Sequence, residues 1–211
     1  MCPQVSSALT LQSNISGLCR CLRVPEGATL SLSGRHPEVS VGIRVVVDSG
    51  GTIVKKDYGA FALTEGIEMS GVMQVAGGTV VVAAGSSCNG TMAVVGAAAV
   101  RILGTMGRSG VVVVEDDASL RLAGPPETTF SPSLNVSGGS LGVYVSGSML
   151  LSGDVYVGVK GVAAIFGSAA NIVTFNARVR LLPPRGRVVL VFHTPLIGSR
   201  NCRCGAPEDW N

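Results

Sequence analysis

The chain has 211 residues, 46% hydrophobic, 14% charged and only 4% aromatic, with a formal net charge of +3. Val and Gly fill 32 and 29 positions, so 61 of 211 residues are poor helix formers and an all-helical bundle is disfavoured. A mean hydropathy of +0.47 excludes a disordered polymer, and the absence of a three-residue Gly period excludes collagen.

The N-terminus, Met1-Cys2-Pro3-Gln4, lacks the basic start and apolar core of a secretory leader. As written, the chain is expected to be cytoplasmic if Met1 is a true start. The opposite expectation comes from six Cys (Cys2, Cys19, Cys21, Cys88, Cys202, Cys204) and from three N-glycosylation sequons at Asn14, Asn89 and Asn135. With 7 Asn and 33 Ser or Thr, chance alone gives roughly one such triplet. A secreted or surface protein, of which this chain is one part, reconciles the two sets of signs. The six Cys allow fifteen pairings, which sequence leaves open.

Residues 1–21 read as an N-terminal cap or preceding coil. From residue 22 the chain repeats itself. Leu22–Gly34 is a short strand, a turn and a second alternating strand, and Val112–Gly124 has the same layout. Val45–Asp57 and Val72–Val82 lie between them, while Ala93–Gly104 and Leu134–Val143 are looser copies. The residue after the turn falls at Thr29, Thr52, Thr79, Val100, Ser119 and Ser140. Its intervals are 23, 27, 21, 19 and 21, a unit of about 20 residues.

Alternation over four to six residues, broken by Gly-Gly or similar turns, predicts strands. A period near 20 predicts the coils of a parallel β-solenoid over residues 22–180, each burying its apolar side chains on the next. Val suits the interior and Gly the tight corners. The class is therefore all-β, and the competing architecture is an antiparallel β-sandwich or barrel. Leu181–Arg187 reads as a break, Val188–Phe192 as a last strand, and residues 181–211 as a C-terminal strand with an irregular tail.

No membrane span is expected, because the best apolar run, Met92–Val100, is too short and ends at Arg101. Basic residues are scattered apart from Arg178, Arg180, Arg185 and Arg187, and stacking aromatics are few, so nucleic acid is not an expected partner. No small-molecule substrate is expected either.

The acids Glu115-Asp116-Asp117 are the first catalytic candidate, since glycoside hydrolysis needs paired carboxylates. They sit at a repeat's turn, where Asp is a common turn former, and the adjacent copies lack an acid there. His36 and His193 have no second His or Cys at ligand spacing, so no metal is expected. Cys19-Arg20-Cys21 and Cys202-Arg203-Cys204 do not match the Cys-x-x-Cys spacing. No catalytic or cofactor-binding residue is assigned.

The unit apolar-x-Val-x-Gly-Gly-[Ser/Thr]-apolar-x-Val, at Met73–Val82 and Leu134–Val143, resembles the dispersed gene family surface proteins of trypanosomes. The resemblance spans about residues 22–176 and rests on repeat texture shared with many bacterial adhesins. It implies a right-handed β-helix like that of pectate lyases, N-glycosylation, and a surface role with host or matrix glycans or proteins as partners. The expected function is a non-catalytic structural or adhesive module. The alternatives are a degenerate carbohydrate-active β-helix of pectate lyase or polygalacturonase type, and a cytosolic self-assembling solenoid. For the polygalacturonase pattern only Asp116-Asp117 is present.

Overall fold

The computed structural model describes residues 2–16, 19–34, 38–158, 160–166, 172–176 and 178–181. The described residues form strands and turns with no helix, and every strand pair is parallel. The chain is a parallel β-solenoid, and the antiparallel sandwich is excluded. His36, His193, Cys202, Cys204, the strand expected over Val188–Phe192 and the irregular tail lie outside the described residues.

Each coil contributes one strand to each of three sheets, called here faces A, B and C in the order the chain visits them. A typical coil runs through Ile67–Met69 on face A, Val72–Val75 on face B and Thr79–Val82 on face C. Among the described residues, face A has eight strands, from Cys21–Val24 to Ile172–Phe175. Face B has nine, from Ala8–Leu11 to Val179–Leu181. Face C has seven, from Val39–Val41 to Val162–Phe166.

The strands form because their alternation matches the pleat: in Thr79–Val82 and Thr91–Val94 the second and fourth side chains are buried. Parallel pairing then stacks like on like. Val80 lies opposite Val100, Val100 opposite Leu120, and Leu120 opposite Leu141, giving one axial column of the core. Each such side chain, fully buried, contributes about 1.5–3 kcal/mol relative to exposure.

The glycines answer a different need. Gly51, Gly71, Gly90 and Gly110 each immediately precede a face B strand, and their carbonyls accept from the next coil: Val72 N donates to Gly51 O, and Thr91 N to Gly71 O. A Cβ on Gly71 would strike the Gly51 carbonyl oxygen, and one on Gly90 the Gly71 oxygen. In these coils backbone approaches backbone too closely for a side chain, whereas Ala28 and Pro132 hold the equivalent position on the flanking coils.

Two features of the repeat differ from the sequence reading. The unit has three strands, not two, and the paired-strand copies do not share a phase. Leu22–Gly34 covers faces A and B, whereas Val112–Gly124 covers faces B and C. Thr29 and Thr52 are partners on face B, while Thr79, Ala99, Ser119 and Ser140 form one row on face C. Val100 therefore sits one residue too far along, and faces inward. The odd interval of 27 is one coil, Thr52 to its partner Val72, plus one strand and corner, Val72 to Thr79. The strands on every face are short and mostly alternate apolar with small or polar residues, so a two-strand window aligns equally well on either pair of faces.

Candidate functional site

The face C strands read VSV, AFAL, TVVV, AVRIL, SLRLAG, SLGVYV and VAAIF. They contain no Asp, Glu or Lys, and two Arg. Arg101 and Arg121 occupy the same outward slot on neighbouring coils, so they are direct register partners. Both are exposed. Among the described residues neither has a carboxylate within ion-pair distance, in contrast to Arg23 with Asp48 (2.7 Å) and Arg44 with Glu68 (2.8 Å).

The next positions in that slot are Gly142 and Ala164. Their smallness lets an aromatic fold over them. Tyr144 does so: a Cβ on Gly142 would come within 2.8 Å of its Cε2. The Arg121 guanidinium lies 3.7 Å from the Tyr144 ring centroid, and Phe166 stacks on Tyr144 at 4.6 Å with an interplanar angle of 15°. Cation–π and offset stacking each favour this order. The result is a ledge of two cations and two rings along a shallow trough of about 270 Å³ that also includes Ser119 and Ser140.

Sequence reasoning missed all four ledge residues. The signal was there in the apolar-x-apolar triplets Val100-Arg101-Ile102 and Leu120-Arg121-Leu122, but it becomes readable only once the repeat is placed in its true phase.

The expected site residues are scattered. Asn14 is exposed near the first B-to-C corner, its Oδ1 accepting from Ser40 N at 2.8 Å. Asn89 is exposed at an A-to-B corner. Asn135 lies within a face B strand, half-buried between Val113 and Tyr156. None of the three sequon asparagines is in a face C strand.

Glu115-Asp116-Asp117 forms the B-to-C corner between Val111–Val114 and Ser119–Gly124. All three acids are exposed, Ala118 N donates to Glu115 O at 3.1 Å, and Asp116 takes a positive φ of 54°. The equivalent corners above and below are Val95–Ala98 and Ser137–Gly139, so no acid stacks on the cluster. Asp48 and Glu26, which align with these acids in sequence, occupy the A-to-B corner instead, on a different edge of the solenoid. Among the described residues no three His, Cys, Asp or Glu side chains gather as a metal site. No helix among them is long and apolar enough to cross a membrane.

Among the described residues one disulfide, Cys2–Cys21, joins adjacent coils on face A with a Cα–Cα distance of 4.9 Å. It lies two residues before the parallel Gln4–Arg23 bridge on both coils. Cys19 is free and exposed, and Cys88 is free and buried. Burial pushes the Cys88 thiol up to about 11, while its Sγ contact with the Gly90 carbonyl at 3.5 Å acts weakly the other way. Since thiolate is the reactive form, iodoacetamide at neutral pH is expected to modify Cys19 in the folded protein and spare Cys88 until denaturant is added. Peptide mass mapping reads this directly; labelling of native Cys88 at the rate of Cys19 would contradict the buried placement.

Comparison of the chain with protein-family models, with curated proteins and with solved structures finds no match.

Proposed function

We propose that the chain is a non-catalytic structural or adhesive module of a repeat-containing surface glycoprotein, as its resemblance to the trypanosome dispersed gene family implies. Its place is then the cell surface, or the secreted phase, as part of a longer protein. The observation that supports this reading is the open ledge on face C. Arg101, Arg121, Tyr144 and Phe166 present charge and ring surface on a broad, flat sheet, which suits an extended partner laid across it. Host or matrix glycans or proteins are the partner classes. The sequons fit the same reading, because sugars on Asn14, Asn89 and Asn135 would project from corners and from face B while leaving face C open.

The test is production in a secretory eukaryotic host, followed by glycopeptide mapping and retention of cells or matrix on the immobilised protein. Occupied sequons together with retention above a denatured control are expected. Secreted protein with all three asparagines bare and no retention would overturn the reading. Turnover of polygalacturonate that is lost in Asp116→Ala would replace it with an enzyme.

A further inference from the structure

We infer that face C binds a linear acidic polysaccharide, laid along the solenoid axis with its anionic groups on Arg101 and Arg121. The inference rests on the adhesive reading and gives its partner a chemistry.

Charge complementarity carries it. Like charges directly opposite on neighbouring strands repel and destabilise a sheet. Arg101 and Arg121 are such a pair, on a face whose strands carry no acid to relieve them. Bound carboxylate or sulfate groups would supply that relief, and a guanidinium fork matches either one bidentately. The two guanidinium groups belong to coils about 4.8 Å apart, which is the rise between hydrogen-bonded strands. That repeat is close to the length of one sugar ring in a linear chain, so successive residues of a glycan can meet successive coils.

The rest of the trough also suits a sugar. Ser119 and Ser140 lie side by side in the adjoining outward row and offer hydroxyls at the same axial repeat. Val162, Ala164 and Phe166 extend the surface with apolar groups for the C–H faces of a ring. Tyr144 holds Arg121 from beneath, which reduces the ordering needed on binding.

Two other polyanions fit less well. A DNA duplex presents a charge about every 1.7 Å and is held by many cations, and here there are two. An acidic peptide docking by strand addition needs a free sheet edge. The strands that carry the two arginines, Ala99–Leu103 and Ser119–Gly124, have neighbours on both sides, and among the described residues the face C edge lies two coils beyond Arg121, at Val162–Phe166.

The experiment is calorimetric titration of the full chain with heparin, with neutral dextran and duplex DNA in parallel. Heparin is expected to bind, more weakly as salt rises, and dextran is not. The double variant Arg101→Gln/Arg121→Gln is expected to bind heparin about tenfold or more weakly, with an unchanged circular dichroism spectrum, since both side chains are exposed. Gly142→Val keeps both arginines but displaces Tyr144, and should also weaken binding. Arg108→Gln removes the same charge from the A-to-B corner and should stay within about twofold of wild type.

Equal binding of dextran, equal loss in Arg108→Gln, or DNA displacing heparin at lower concentration would overturn the inference. Retention of cells by protein that ignores heparin would overturn the glycan assignment and leave the adhesive module standing. Heparin binding through the two arginines without any retention of cells would support the site and sink the adhesive reading alone.

Discussion

Val114→Asp is expected to abolish cooperative folding, whereas Val113→Asp, one residue away, should shift stability by less than about 1 kcal/mol. Val114 is fully buried, between Val94 on one coil and Val136 on the next. A carboxylate there loses its hydration, and no cation stands in that part of the column. The cost is several kcal/mol for an unpaired buried ion, against a total stability of about 5–15 kcal/mol for a typical domain. The position aggravates the loss. A solenoid holds together through nearest-neighbour interfaces, and Val114 lies near the middle of the stack, so its failure uncouples the coils on either side.

Val113 points outward between Ala93 and Asn135 and is half-exposed, so an aspartate there meets water. Circular dichroism during urea unfolding checks both variants. Val114→Asp melting like the parent, or Val113→Asp proving the worse of the two, would show that the strand's register is wrong by one residue. Val80→Asp repeats the test on face C and should be as severe, since Val80 is fully buried between Phe61 and Val100.

The second large effect concerns a buried charge that the protein already tolerates. Lys55 stands in the inward column of face B, opposite Leu32 and Val75, and its side chain is wholly inaccessible. It survives because the chain turns at once into a corner where Asp57 meets it. Lys55 Nζ donates to both the carboxylate and the carbonyl of Asp57, and the Phe61 ring centroid lies 5.8 Å from the ammonium. Asp57 is in turn held by the Gly34 N–H at 2.9 Å. Asp57→Ala should therefore cost about 3–5 kcal/mol, because it strands a desolvated ammonium. Lys55→Met/Asp57→Ala should recover most of that loss, since Met fills the same column without a charge. A double variant no more stable than Asp57→Ala would mean that the corner, rather than the ion pair, was what the single change broke.

The pH dependence follows from the same contact. Burial raises the Asp57 carboxyl, but hydrogen bonds from Lys55, Ser33 and Gly34 and the Lys55 charge outweigh it, leaving the pKa below its ordinary value of 3.8. A depressed folded-state value means that the unfolded chain takes up the proton first. The contribution is complete above the ordinary carboxylate value and is lost as pH falls through the lowered one. In acid the parent's urea midpoint should fall toward that of Asp57→Ala, and at neutral pH the gap between those two should be independent of pH.

Lys55 also shows where sequence reading stops. In Thr52-Ile53-Val54-Lys55 the alternation puts Lys55 on the buried side, yet a lysine at a strand end reads as a solvent-facing terminus. Only the corner that brings Asp57 back over it explains how the charge stays inside. The ledge was hidden for a related reason. Arg101 and Arg121 are twenty residues apart in sequence and unremarkable singly, and they become a pair only through parallel register. The acidic triplet Glu115-Asp116-Asp117 is the converse case. It is conspicuous in sequence, and the structure places it at an exposed corner with no acid on the coils above or below.

The sequence by itself determined the class of fold, because alternation, Val content and Gly corners are local properties that a period near 20 organises into stacked coils. It also determined which side chains are inward on most strands, since the pleat repeats every two residues. Only the tertiary structure decided that each coil has three faces, which strand lies over which, and that Arg101, Arg121 and two aromatics share one of those faces. Local patterning sets what a strand can bury. Which surfaces the strands build together depends on hydrogen bonds between coils some twenty residues apart, and no local pattern encodes that register.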